Sequence, residues 1–233
     1  MRRIIRLAVV LACAMPASSQ VTTTLKTHPN RSVEIRNASA VNLLAFAIRL
    51  EPVGPDALSR APFVFYLDAV VDDERIEPLA PGQAYGVPVP VLSPLRSRTP
   101  ADLYSAPVVT AAIFADGNTF GDADLLAGLM RRRASMLQAV ELTREILSDA
   151  GKHNVARAQL VGQFRMLADS LDHWYLPREQ IVGRGLYQSM AERLMNLPLV
   201  QVGEAFPPSD FVGQEVARLS RRRTVLLEAT ARR

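Results

Sequence analysis

The chain has 233 residues, 48% of them hydrophobic and 21% charged, with 27 Lys and Arg against 23 Asp and Glu. That length allows one domain or two small ones, and either can bury a real core. A single cysteine and a nearly balanced charge leave no basis for a disulfide framework or a nucleic-acid partner.

Met1 to Arg6 is a short basic segment, Leu7 to Met15 an apolar run, and Pro16 to Gln20 a stretch of small residues. Ala17 and Ser19 stand at the −3 and −1 positions of a cut after Ser19. This is the layout of a secretory signal peptide over residues 1–19, and its apolar run is too short to cross a membrane. The expected address is export, to the periplasm or the medium. Val10-Leu11-Ala12-Cys13 resembles the lipobox of bacterial lipoproteins, which implies as an alternative an outer-membrane protein anchored through an acylated Cys13. It departs from that pattern in its length and in Arg6, which interrupts the apolar stretch. Loss of Arg2, Arg3 and Arg6 with the signal peptide leaves 24 basic residues against 23 acidic, a net charge of +1. The basic residues are almost all Arg, Lys26 and Lys152 being the exceptions, a bias that base composition of the genome alone produces.

Residues 20–31 are polar and Thr-rich without periodicity and read as a disordered leader. Ser32 to Arg36 alternates as a strand does, Asn37-Ala38-Ser39 turns, and Val41 to Leu50 forms a second, more apolar strand. Proline and glycine make Glu51 to Pro62 a loop. Phe63 to about Val71 is a third strand, closed by the charged turn Asp72-Asp73-Glu74. Leu79-Ala80-Pro81-Gly82-Gln83 is a turn leading into Tyr85 to Leu92, which Pro88 and Pro90 confine to a sheet edge. Val108 to Ala115 is β-branched and apolar, the composition of a buried strand. Asp116-Gly117 breaks it, and Asp122 suits the N-cap of a helix that follows.

A strand, an Asn-x-Ser turn, a strand, and later Leu-x-Pro-Gly-Gln before another strand resemble bacterial secreted immunoglobulin-like domains of the cell-adhesion-related type. The likeness covers residues 32–116 and implies a sandwich fold with a binding or spacer role. It carries no functional residues with it.

From Ala123 the apolar spacing becomes helical. One long helix runs from Ala123 to Ala150 and ends at Gly151. Asn154 is placed to cap the next, in which Leu160, Val161, Phe164, Leu167, Ala168, Leu171 and Trp174 keep an i, i+3, i+4, i+7 spacing. A weaker helix follows from about Arg178 to Leu197, and Ser209 starts a last one that continues to about Ala229. The two regions also differ in charge, −3 over residues 20–122 and +4 over 123–233. The expected fold class is α+β: an N-terminal immunoglobulin-like β-sandwich over 32–121, then a C-terminal antiparallel helical region of three to four helices over 122–233.

Few residues present themselves as chemistry. His28, His153 and His173 show no His-x-x-x-His or Glu-His spacing of a zinc site, and structural roles explain them. Asp116, Asn118, Asp122 and Asp124 alternate as calcium ligands do, but Phe120 stands where an acid is required and no glutamate closes the loop. A hairpin turn and an N-cap account for all four. Gly183-x-Gly185 lacks the strand and the third glycine of a dinucleotide loop. The acid pairs Asp169/Asp172 and Glu141/Glu145 suit a solvated helix surface. The reading is therefore of a chain with no catalytic, cofactor-binding or metal-ligating residues and no cofactor.

The unusual features are two arginine triplets, Arg131, Arg132, Arg133 and Arg221, Arg222, Arg223. Three consecutive helical residues spread over about 200° of the circumference, so a triplet forms no flat patch. As solvated flanks they would cover apolar edges with their stems. As a functional feature they are the candidates for contact with an anionic partner, either a protein or an envelope component. The function this supports is a non-catalytic interaction or structural module of the cell envelope, with a secreted hydrolase as the alternative.

Overall fold

The computed structural model describes residues 21–26, 32–54, 57–59, 61–72, 76–88, 108–172, 179–198, 207 and 209–231. Among the described residues seven strands come first: β1 (Val21–Lys26), β2 (Ser32–Asn37), β3 (Leu43–Leu50), β4 (Phe63–Asp68), β5 (Ala84–Pro88), β6 (Val108–Phe114) and β7 (Thr119–Gly121). Four helices follow: α1 (Ala123–His153), α2 (Arg157–Ser170), α3 (Gly183–Met195) and α4 (Ser209–Ala231). The class is α+β, with strand pairing antiparallel throughout. One sheet has the order β1-β2-β5 and the other the order β4-β3-β6-β7.

The second sheet is buried on both faces, and the alternation along its strands shows how. Phe63, Phe65 and Leu67 of β4 and Phe46, Ile48 and Leu50 of β3 share a core with Val33 and Ile35 of the first sheet. The intervening residues, Val64, Tyr66, Ala45 and Ala47, with Ala111 and Ile113 of β6, pack instead against Leu125 and Leu129 of α1. A strand covered on both sides reads as a nearly continuous apolar run, which is the character of β3 and β6. Alanines dominate the helix-facing side, and their size lets α1 lie close to the sheet. Register shifts at Leu43/Ala45 and Ala47/Ile48 put Leu43 and Val109 on the opposite face from that which strict alternation assigns.

The turn into α1 forms as its residues dictate. Gly121 has φ +105°, and a Cβ there would stand 1.9 Å from the Thr110 carbonyl oxygen, so only glycine fits. The Asp122 carboxylate then accepts from the amides of Asp124 (2.8 Å) and Leu125 (3.2 Å), capping the helix. α1 is 31 residues long and is the spine of the helical half. α4 lies antiparallel along it, with Val212 beside Gly151 at one end and Ala229 beside Arg133 at the other. α2 packs on α3, and α3 approaches α1 so closely that a Cβ on Gly183 would come within 2.7 Å of the Ala139 Cβ.

Several sequence expectations change. The third strand ends at Asp68 and not near Val71, and the third helix begins at Gly183 and not near Arg178. Val21–Lys26, read as part of a disordered leader, is strand β1, paired with β2 from Val21↔Asn37 to Lys26↔Ser32. Its threonines favour extended backbone, and β2 supplies the hydrogen bonds that the segment lacks alone. Gly151 does not end the first helix, which continues to His153. Asn154 caps that end rather than starting the next helix: it takes a left-handed conformation (φ 51°, ψ 50°), which asparagine tolerates. Residues 1–19, read as a signal peptide, and Cys13 within them, with His28, His173 and Trp174, lie outside the described residues.

Candidate functional site

The charged residues of the two halves converge on one turn. β4 ends at Asp68, on the same side of the strand as Val64 and Tyr66, and the chain turns through Ala69, Val70, Val71 and Asp72. The Asp68 carboxylate accepts from the Val70 amide (3.0 Å), and Asp72 accepts from the Asp68 amide (2.7 Å). Both carboxylates face α1. Arg133, 1% exposed, reaches Asp68, 0% exposed, through two contacts: Nε donates to Oδ2 at 2.6 Å and Nη2 to Oδ1 at 3.3 Å. Its Nη1 donates to the Ala229 carbonyl of α4 at 2.8 Å. Arg132 pairs with Asp72 and lies 5.5 Å from the centre of the Tyr66 ring. From α4, Arg222 Nη2 donates to the Val71 carbonyl at 2.7 Å. Val71 itself is fully buried in the helical core.

Three guanidinium groups, drawn from both triplets, thus hold a single turn of the sheet. The carboxylates of Asp68 and Asp72 are intramolecular anions for Arg132 and Arg133. The remaining members of the triplets are spread out. Arg131 is exposed 3.9 Å from Glu179, Arg223 donates to Glu141 at 2.8 Å, and Arg221 is exposed. The six arginines form a clamp and a scatter, not one basic face.

Burial sets the electrostatics here. It raises the Asp72 carboxyl above its ordinary range, against the pull of Arg132 in the other direction. Burial likewise raises the Tyr66 phenol, and Glu179, which accepts from it at 3.3 Å, adds to the rise. A second buried acid, Glu215 of α4, is held by Arg193 of α3 and by Arg218 at 3.0 Å, joining α3 to α4.

Other residues singled out in the sequence have local partners. Asp116 accepts from the Asn118 amide (3.0 Å) and side chain (2.8 Å), and Asp122 is the helix cap already described. His153 is exposed, its Nδ1 3.0 Å from the Asp149 carbonyl oxygen. Asp172 pairs with Arg184 at 2.6 Å. Among the described residues no group of three or more His, Cys, Asp and Glu is disposed to hold a metal.

The two turn motifs of the first half meet each other. Asn37 is fully buried, and its side chain donates to the carbonyls of Val41 (2.8 Å) and Leu79 (2.7 Å) while accepting from the amide and hydroxyl of Ser39. Its backbone bonds Gly82 and Gln83 in the Pro-Gly turn. Sequence reasoning missed Asp68, Asp72, Tyr66 and Glu215. One signal was present: Asp68 sits where the alternation of β4 demands an inward residue, and an acid there needs a buried cation.

Described residues also line a groove of about 240 Å³, floored by Leu44, Val70, Val225 and Ala229, and a cleft of about 290 Å³ among α1, α2 and α3. Comparison with protein families, with curated proteins and with solved structures gives no match to this chain.

Proposed function

We propose that this is an exported, non-catalytic module of the bacterial cell envelope, in which an immunoglobulin-like sandwich carries a helical arm that engages a protein or an anionic envelope component. Supporting the sandwich are the sheets of three and four strands, with the chain passing between them after β2, β4 and β5. Export rests on the signal-peptide layout of residues 1–19. The observation that carries the reading is the clamp: arginines from α1 and α4 fix the turn after β4, so sheet and helices present one rigid surface. Rigid presentation lowers the ordering cost of engaging a partner. Charge for an anionic contact remains at Arg131 and Arg221, both exposed.

The test is affinity capture from envelope extracts with the mature protein, at low and high salt, beside the variant Arg131→Glu/Arg221→Glu. One specific partner, retained at low salt and lost in the variant, supports the reading. Capture of nothing at either salt, together with hydrolysis of an envelope polymer or ester by the purified protein, overturns it in favour of the hydrolase.

A further inference from the structure

The edge of a sheet offers a row of unpaired amides and carbonyls that recruits another strand unless something closes it. Among the described residues, three of the four edges of the two sheets are closed. β5 ends in Pro88, which has no amide to offer, and the Arg36 guanidinium donates to the Gly82 carbonyl just before that strand (3.1 Å). β4 ends where the Asp72 carboxylate accepts from the Asp68 amide. β7 has only three residues and runs directly into the capped start of α1.

β1 has no such device. It is six residues long, lacks proline and glycine, and carries one charge, Lys26, at its end. Val21 anchors it, buried in one core with Val33 and Ile35. Which of its backbone groups face outward follows from β2. The amide and carbonyl of Asn37 bond Gln83 and Gly82 on the β5 side. By alternation Ile35 and Val33 also face β5, while Arg36, Glu34 and Ser32 face β1, where their partners are Thr22, Thr24 and Lys26. The amides and carbonyls of Thr23 and Leu25 therefore point away from the sheet, and among the described residues no strand lies beyond them.

The strand is complementary to itself. With a two-fold axis at Thr24, Thr23 of each copy meets Leu25 of the other as a hydrogen-bonded pair, and Thr24 faces Thr24. Lys26 then stands opposite Thr22 of the second copy, which keeps the two lysines about 13 Å apart along the strands. A parallel copy would set them side by side.

We infer that β1 is a self-association edge, on which a second copy of this chain docks its own β1 antiparallel across an axis at Thr24, joining the two three-stranded sheets into one. This interface uses none of the arginines and is independent of any partner held by the helical arm.

Sedimentation equilibrium of the mature protein between about 1 μM and 1 mM tests it, with a reversible monomer–dimer equilibrium as the expected result. Thr23→Pro deletes an outward amide and spares the bonds to β2, so it should raise the dissociation constant at least about ten-fold in a chain whose amide spectrum is still that of the folded protein. Under mild oxidation Thr24→Cys should cross-link the two copies, because facing residues of a non-hydrogen-bonded pair have Cα atoms about 4.5 Å apart. Thr22→Cys should not, and the chain after Cys13 contains no other cysteine. A monomer at every concentration, an unchanged constant in folded Thr23→Pro, or cross-linking of Thr22→Cys without that of Thr24→Cys would each overturn the inference. Should Thr23→Pro fail to fold, the two cysteine variants decide.

Discussion

Arg133 and Asp68 illustrate how a buried charge is tolerated: each is almost wholly removed from solvent, and each satisfies the other's polar atoms. Arg133→Met should cost about 3–5 kcal/mol, because it strands a buried carboxylate, whereas Asp68→Asn/Arg133→Met should cost less than the sum of the single changes. Urea unfolding of the four proteins of that cycle measures the coupling, and strict additivity would show that the pair does not act as a unit. Asn37→Ala should cost about 2–3 kcal/mol, since the carbonyls of Val41 and Leu79 lose their donor. Burial raises the Tyr187 phenol, so folding favours its neutral form. The unfolded state ionises first, at the ordinary value of 10.0, so the stabilisation is complete below that pH and is lost as pH climbs towards the folded value. Between pH 9 and 11, wild type should therefore lose more stability than Tyr187→Phe in parallel urea titrations, and parallel losses would refute the assignment.

Among the elements, β3 and β6 are informative because each serves two interfaces. Their alanines, Ala45, Ala47 and Ala111, all 0% exposed, leave no space between the sheet and α1. Ala47→Leu should overpack this layer and lower stability by about 1–3 kcal/mol, with thermal unfolding as the measure. By contrast Leu58→Ala, at a fully exposed position, should have almost no effect. α4 relates to α1 in a similar way, its buried positions Val212, Glu215, Leu219, Leu226 and Ala229 following helical spacing. Two of the positions on that inward side, Glu215 and Arg222, are charged and are held by ion pairs or a backbone carbonyl instead of apolar contacts.

At the scale of the molecule, the second sheet is a middle layer, with the first sheet on one side and α1 on the other. A fragment ending at Asp122 would therefore expose Ala45, Ala47, Ala111, Ile113 and Tyr66 to water together with the unpaired Asp68. An apolar face of that kind drives association. Size-exclusion chromatography should show the fragment self-associating at concentrations where the full chain elutes as one species. A well-behaved monomeric fragment would mean that the strands are independent of the helices.

Local chemistry was legible in the sequence because it needs few residues. Gly121 and Asp122 marked the passage from strand to helix, Asp116-Gly117 the hairpin, and the 3.6-residue spacing the helices, each of them a short-range interaction between neighbours in the chain. The apolar runs of β3 and β6 also announced burial. Their sequence did not reveal what covered the second face, since an alanine that meets a helix is the same residue as one that meets a sheet. The strand at Val21–Lys26 was invisible for a related reason, its order being supplied by hydrogen bonds from β2. The arginine triplets were conspicuous, but the partner of Arg133 lies 65 positions away at Asp68, and that of Arg222 lies 151 away at Val71. Composition and periodicity determined most of the strands and helices, Val21–Lys26 being an exception. Only the tertiary structure decided where the charges went, because the low polarity of the interior forces each buried ion onto whichever opposite charge the fold brings within reach.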